Sequence, residues 1–430
     1  MNARVPGQVG ARVVRRLRNA GCANRAASID AKARAGYSPL VIAVVEEAEA
    51  LHADVRRAIA VMGPTDEAAF DDLARRIAVF QARHVPGYAR LLAARGLDVQ
   101  RAPIASLPAV PTDAFRVSRV ATHPPSLDVA TFRTSGTTGS LAGRGAHALR
   151  TLDTYRAASL AWAKNTLFAP FFAGTESGMN IHSALTQPAI NTATATVIAI
   201  SPSPAELPDS SLARMMGWFV DELGGAGSGS AFVPADDLAR AVAVLDAASR
   251  GSRPVVVLAT AFAWVHLLDR LGKTILPLPR TSRAMQTGGF KGRSREISKE
   301  DLRVGIARAL GLSERDVIGE YGMTELTSQL YATPERRGDE TPWIYRAPPW
   351  VRVRACDPST LATLPQGRRG IARIEDLANV ESAWAIQTAD EVVVHEDGGV
   401  ELFGRLPGET PRGCSLAIEE LLEQAQERAS

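Results

Sequence analysis

The sequence predicts a layered α/β fold with a helical N-terminal lobe and a small β-rich C-terminal part. Three observations carry this expectation. Apolar residues recur at helical spacing from Tyr37 to Arg95, short β-type runs alternate with helical ones beyond about residue 120, and β-type alternation takes over from Trp350. With 430 residues, 46% hydrophobic and 22% charged, the chain can bury a large core spread over two or three lobes. The expected division is a basic leader over 1–36, the helical lobe over 37–120, an α/β core over 121–349 and a small β-rich subdomain with its tail over 350–430.

The first lobe rests on Val41, Val44, Ala48, Leu51 and Val55, then Ala69, Leu73, Ile77 and Phe80, each set spaced to line one side of a helix. Pro103, Pro108 and Pro111, closed by Pro124 and Pro125, read as a loop-rich connection. Thr194 to Ile200, Pro254 to Leu258 and Val317 to Ile318 read as strands of the core. Val351 to Arg354, Val392 to Val394 and Val400 to Leu402 predict a small antiparallel sheet. The Gly/Ser-rich stretch Gly224 to Ser230 reads as a flexible loop rather than a dinucleotide site, since no clear strand precedes it. There is no internal repeat.

Composition excludes several classes. A net charge of +3, with no basic face interleaved with aromatics, gives no reason to expect a nucleic-acid partner. Cys22, Cys356 and Cys414 follow no zinc or disulfide spacing, which fits a reducing cytoplasm. No apolar run of about 18 residues predicts a membrane span, and the N-terminus lacks a signal peptide's apolar stretch. Residues 1–45 carry seven arginines against the single acid Asp30, the composition of a transit peptide or, more simply, of a frayed leader in an Arg-rich chain. Only five lysines occur, leaving 44 of the 49 basic residues as arginine, and none follows Lys299. No GxSxG segment points to a serine hydrolase.

The sharpest local feature is Thr134, Ser135, Gly136, Thr137, Thr138 and Gly139. Four hydroxyls and two glycines in six residues can turn backbone N–H groups and side-chain donors onto one anion. A Ser/Thr/Gly surface turn is the plainer reading. A Walker A loop is not available, because the one GKT, Gly272 to Thr274, has Leu267 where that motif needs its first glycine.

TSGTTG is similar to the phosphate loop of the adenylate-forming superfamily, and Gly319 to Glu325 (GEYGMTE) resembles that superfamily's YGxTE segment at the expected distance downstream. Gly288-Gly289-Phe290-Lys291-Gly292, Glu320 to Tyr331 and the stretch from Leu402 through Leu416 resemble its acyl-protein synthetase, LuxE-like, branch. The likeness spans about residues 100 to 416. It implies a layered adenylate-forming N-terminal-domain fold and an ATP-dependent ligase that uses Mg²⁺ to turn a fatty or aryl acid into an acyl-AMP, releasing pyrophosphate. It also implies roles: Thr134 to Gly139 with Arg144 on the phosphates, Gly288 and Gly289 lining the adenine and acyl sites, and Tyr321 and Gly322 at the adenine. Thr324 would bond the α-phosphate, Glu325 would help hold Mg²⁺, and Asp390, with Asp376 as its rival, would grip the ribose.

The sequence departs from the superfamily in two places. The usual lysine of the phosphate loop is replaced at Ala142, with Arg144 two residues on, and only 25 residues, none lysine, follow Arg405, too few for the usual swinging C-terminal subdomain. Pyrophosphate charge must then be met by other cations, with Arg133, Arg144, Lys291 and Arg405 as candidates. In the LuxE-like branch a cysteine near the C-terminus accepts the acyl group, and Cys414 beside Arg412 matches it; a buried structural cysteine is the alternative.

An apolar acyl pocket is expected between Leu258 to Trp264 and Gly288-Gly289, with Phe262 and Trp264 either shaping it or, equally well, forming a helix packing stripe. His123, His147, His266 and His395 are expected to be structural or solvent-facing, since an ionised carboxylate needs no base. An acyl-acceptor protein, or a reductase or transferase partner, would follow from acyl transfer. Two alternatives remain at this level: a CoA ligase resembling phenylacetate-CoA ligase, and a degenerate ligand-binding homologue without catalysis.

Overall fold

The computed structural model describes residues 37–62, 66–134, 143–172, 195–225, 227–288 and 297–406. Its longer helices are α1 (Pro39–Val61), α2 (Glu67–His84), α3 (Pro86–Ala94), α4 (Asp153–Asn165), α5 (Ser211–Trp218), α6 (Leu238–Ser249), α7 (Ala261–Leu271) and α8 (Lys299–Leu310). The strands are β1 (Val110–Pro111), β2 (Ala130–Arg133), β3 (Ala146–Leu149), β4 (Thr196–Ile200), β5 (Ala231–Val233), β6 (Val255–Thr260) and β7 (Arg283–Thr287). They continue with β8 (Val317–Tyr321), β9 (Leu330–Pro334), β10 (Trp343–Arg346), β11 (Val351–Cys356), β12 (Arg369–Asp376), β13 (Ala385–Val394) and β14 (Val400–Arg405). The chain divides at Glu49/Ala50, and the candidate site lies wholly within the larger unit, Ala50–Ser430.

Among the described residues one sheet has the order β11-β12-β13-β14-β10-β9-β8-β7-β6-β4-β5, with β1 parallel beside β13. From β5 to β8 the pairings are parallel, made by strand-helix-strand crossovers through α5 to α8. The run VVVLA of β6 is buried throughout, as a central parallel strand covered on both faces requires. From β8 onward the path is antiparallel. The strands expected after Trp350 therefore form, but they do not close into a sheet of their own. β14 hydrogen-bonds β10 at Ile344↔Glu401 and Tyr345↔Val400, which satisfies a backbone edge that would otherwise be left open.

On α2 the buried stripe is Phe70, Leu73, Ala74, Ile77, Ala78, Phe80 and Gln81; Ala69, expected there, is exposed, and the larger Phe70 takes the inward position. Phe132, Tyr155, Phe168, Met216, Phe219, Leu258, Met285 and Ile318 join one core beneath the parallel strands, each large side chain contributing about 1.5–3 kcal/mol by leaving water. Thr260 ends β6 and caps α7 by accepting from Ala263 N–H at 3.2 Å. Ser298 caps α8, accepting from Asp301 N–H at 2.9 Å while its hydroxyl donates to the Asp301 carboxylate at 2.7 Å. Such caps fix where the chain turns from strand to helix along the carboxyl ends of the parallel strands. Gly224 and Gly225 are tied back by hydrogen bonds to Phe219 and Ala195 carbonyls, and Ser230 Oγ accepts from Val197 N–H. Among the described residues no helix is long and apolar enough to cross a membrane.

Candidate active site

The parallel pairs Thr260↔Thr287 and Thr287↔Glu320 bring the carboxyl ends of β6, β7 and β8 level with one another. In sheets of this kind ligands sit in the crevice outside those ends. Tyr321 closes β8, and the next four residues, Gly322 to Glu325, form a turn that leads toward β9. That turn joins two clusters of side chains.

At its first end the Tyr321 hydroxyl donates to Asp390 Oδ2 at 2.7 Å, and Arg405 Nε donates to Asp390 Oδ1 at 3.1 Å. Asp390 and Arg405 are direct cross-strand partners on β13 and β14, so the ion pair follows from register. Thr388 supports it, its hydroxyl accepting from Asp390 N–H at 3.0 Å. Asp376, the rival for the ribose, is fully buried, and its oxygens are held by the N–H groups of Thr327 and Ala378 and the Ser328 hydroxyl, so it serves the core. Lys299, at the start of α8, donates from Nζ to Leu402 O at 3.1 Å and stands in the field of Asp390.

At the other end the turn meets the mouth of the TSGTTG loop. β2 and β3 are the arms of that loop, and their register carries Arg133 opposite Ala146. Beyond them Thr134 N–H donates to Gly145 O at 3.0 Å, and Thr134 Oγ1 accepts from Gly145 N–H at 2.9 Å. A Cβ on Gly145 would stand 3.1 Å from Thr134 Cγ2 and 3.4 Å from Glu325 Oε1, so only a glycine admits all three so closely. His147 on β3 lies between Thr324 O and Ser382 Oγ, at 2.9 Å from each. Burial drops this imidazole to about pKa 4, so it is neutral, with Nδ1–H donated to the carbonyl and Nε2 accepting from the serine. His147 is thus structural, as expected, but what it braces is the turn itself.

Arg144 is committed to the loop's base: it donates to the carbonyls of Thr134 and Arg133 and pairs with Asp209 at 3.1 Å. Arg116, which the sequence gave no reason to single out, donates from Nε to Gly143 O at 2.8 Å at the loop's other end. Ser135, Gly136, Thr137, Thr138, Gly139, Gly289, Lys291 and Cys414 lie outside the described residues. Gly288 adopts φ +73°, and among the described residues a Cβ there would meet nothing within 4 Å. Among the described residues no cluster of three or more Asp, Glu, His or Cys could cage a metal.

One further residue was given no role in the sequence reading. Glu320, just before Tyr321, is 5% exposed and accepts the Thr287 hydroxyl. Burial lifts its carboxyl to about pKa 7, with that hydrogen bond acting in the opposite sense. Its only sequence signal was its place beside the motif tyrosine. Trp264 corrects the expected acyl pocket: it is wholly buried, its indole N–H donating to Met285 O at 3.0 Å, and it packs the core. Phe262, two residues before it, is 39% exposed and lines a groove of about 770 Å³ with Pro202, Leu207, Leu238 and His266 and the carboxylates Glu206 and Asp236. The GKT stretch is a helix end, Gly272 closing α7 at φ +58° with Lys273 and Thr274 exposed.

Residues 230–423 match the family model for acyl-protein synthetase, LuxE. The long-chain-fatty-acid–luciferin-component ligase of Vibrio harveyi is 34% identical over 141 residues, a match that takes in 31% of this chain and 35% of that protein. Among solved structures, an open conformation of 2-hydroxyisobutyryl-CoA ligase with 2-HIB-AMP and CoA aligns at 15% identity and TM-score 0.53, over 82% of this chain and 79% of that one. The same ligase in a postadenylation state with R3-HIB-AMP aligns at 15% identity and TM-score 0.52, over 80% and 69%. The likeness to the LuxE-like branch drawn from the motifs is thus met by a family match that takes in Tyr321 to Glu325, Asp390 and Arg405, and the fold is that of the adenylate-forming ligases.

Proposed function

We propose that this chain activates a carboxylic acid with ATP to give an acyl-adenylate and pyrophosphate, and then passes the acyl group to a thiol. The observation that supports this most directly is that one turn, Tyr321 to Glu325, bonds the Asp390–Arg405 pair at one end and is held at the other by His147 of β3, where Glu325 comes close to Gly145, the hydrogen-bond partner of Thr134. The LuxE family match supports it independently. The residues fit the substrate: an aspartate oriented by two donors, a tyrosine at the end of β8 bonded to it, and a glycine at 145 close to both Thr134 and Glu325. They also fit Mg²⁺, a hard ion that takes one or two carboxylates and completes its shell with phosphate oxygens and water rather than needing a protein cage.

In this reading an oxygen of the acid's carboxylate attacks the α-phosphorus of ATP. The bond from that phosphorus to the bridging oxygen breaks, and the electron pair leaves with pyrophosphate. Asp390 receives the ribose hydroxyls, Tyr321 supports the adenine, and the Thr324 hydroxyl, on a turn held by His147, bonds the α-phosphate. Glu325 holds Mg²⁺. Arg405, Arg116, Lys299 and Lys291 are the cations that would offset pyrophosphate charge, while Arg144, paired with Asp209, keeps the loop's arms together. The groove beside Phe262, with Leu207, Leu238 and two prolines among its walls as well as Glu206 and Asp236, is the place proposed for the chain of a fatty acid, the class in the name of the Vibrio harveyi relative. Cys414 is the proposed acyl acceptor before transfer to a partner protein.

The test is carboxylate-dependent exchange of labelled pyrophosphate into ATP across fatty and aromatic acids. Glu325→Gln should lower the exchange rate by about a hundredfold or more; unchanged exchange in that variant, or none with any acid, overturns the reading. Cys414→Ala should keep the exchange and lose acyl labelling of the protein, whereas turnover that requires CoA would identify a CoA ligase instead.

A further inference from the structure

The ends of β7, β8 and β9 set Thr287, Glu320 and Tyr331 in one row, because Thr287↔Glu320 and Glu320↔Tyr331 are direct register partners. Partners in register share a face of the sheet, here the face of Met285 and Ile318, each two residues back along its strand and part of the core. Glu320 is buried and takes the Thr287 hydroxyl on Oε2. Its Oε1 lies at Gly322, where a Cβ would stand 2.6 Å from it. One carboxyl group thus ties the end of β7, which leads into Gly288, to the end of β8 and the turn that carries Tyr321 and Thr324.

The groups that face Glu320 are neutral. Thr287 approaches from β7, Tyr331 from β9, Tyr155 from α4 and Tyr345 from β10, and the three phenols are held above their ordinary range by burial first and by the Glu320 carboxyl as well. The Tyr155 hydroxyl donates to Ser211 O at 3.0 Å, and the Tyr331 hydroxyl has no hydrogen-bond partner among the described residues. Among the described residues no cation offsets a charge on Glu320. A buried carboxylate without a cation is costly, and burial pushes this carboxyl up to about 7 against the Thr287 hydrogen bond. The group therefore changes charge near neutral pH, at the strand ends where a triphosphate would bring further negative charge.

We propose that Glu320 is a positioning residue for the nucleotide, acting through the Tyr321 turn rather than by contact. As a neutral acid it holds the ends of β7 and β8 together; as a carboxylate it sets an unpaired negative charge behind the turn, which disfavours the triphosphate. This rests on the reading of the crevice as an ATP site, and it adds that ATP and the proton on Glu320 favour one another's binding. With only the neutral form competent, affinity follows the neutral fraction, and at pH 8.5 that fraction is lower by up to about thirtyfold.

The experiment is equilibrium dialysis of the full chain with labelled ATP and Mg²⁺, without any acid, from pH 6 to pH 8.5, for the wild type beside Glu320→Gln. The amide keeps an acceptor for Thr287 and cannot ionise. Protonation of the nucleotide itself is common to both proteins and cancels in the ratio of their affinities. Relative to Glu320→Gln, the wild type should lose at least about fivefold in affinity over this range, with a midpoint close to pH 7. Thr287→Val removes the hydrogen bond that favours the ionised form, so its midpoint should lie at higher pH than that of the wild type, a change that loss of packing alone would not produce. The same pH response in wild type and Glu320→Gln overturns the proposal, as does an unmoved midpoint in Thr287→Val. Absence of pyrophosphate exchange with every acid, alongside ATP binding that keeps this pH response, would overturn the ligase reading and leave the role of Glu320 standing.

Discussion

Glu320 shows how a side chain with no assigned role in its motif segment can tune the site. It stands behind the Tyr321 turn, and glycine at 322 leaves room for it, since a Cβ there would lie 2.6 Å from its Oε1. Burial raises its pKa from 4.5 to about 7, so the folded state holds a proton that the unfolded chain has already released. The stability linked to that proton is fully present below about pH 4.5 and is lost as the pH rises toward 7. Glu320→Gln, which keeps the acceptor for Thr287 but cannot ionise, should be more stable than wild type at pH 8 by up to about 3 kcal/mol. Near pH 4.5 the two should be similar. Urea unfolding at both pH values checks this, and parallel pH dependence in the two proteins would rule it out.

At the scale of elements, the β2–β3 arms and the Tyr321–Glu325 turn are joined by the His147–Thr324 hydrogen bond, beside which Gly145 lies close to Glu325. The neighbours of Gly145 at 3.1 and 3.4 Å leave no room for a branched side chain. Gly145→Val should push Thr134 and Glu325 apart, costing about 1–3 kcal/mol of stability. Pyrophosphate exchange should fall by at least about tenfold, because small displacements of groups around a reacting phosphate are costly. Exchange at the wild-type rate in a folded variant would show that the contact is not needed for activity. The motifs at this scale were legible in the sequence because each is a contiguous string whose glycines and hydroxyls serve local backbone geometry. The Asp390–Arg405 pair was not, because only the register of β13 on β14 sets those two residues opposite one another.

At the scale of the whole molecule, the connection between β12 and β13 ties the helices to the site. Gln81 of α2 donates to Asn379 O at 2.7 Å and Val380 O at 2.9 Å, and Asn379 in turn donates to Glu325 O at 2.9 Å. Tyr88 of α3 accepts from the Trp384 indole at 3.0 Å. Between these contacts Glu381 receives His52 at 3.0 Å and Arg150 at 2.9 Å, with His123 3.5 Å away. Burial alone would raise the Glu381 carboxyl, but His123, His52 and the charge of Arg150 hold it well below its ordinary value. Its contribution is therefore present above the ordinary carboxylate range and lost as the pH falls through its lower folded value. Glu381→Ala leaves Arg150 buried without its carboxylate and should cost about 3–5 kcal/mol in urea unfolding at neutral pH. A loss within experimental error would show that the node is dispensable.

By itself the sequence determined the layered α/β class, the strands of the core, the helical start and the YGMTE turn. These depend on periodicity and on short runs of residues that satisfy their own backbone. Only the tertiary structure decided that Asp390 rather than Asp376 reaches the crevice, that Trp264 packs the core while Phe262 lines the groove, and that the late strands extend the main sheet. Each of these is a matter of burial or of pairing between distant segments, and no neighbour in the chain reports on either.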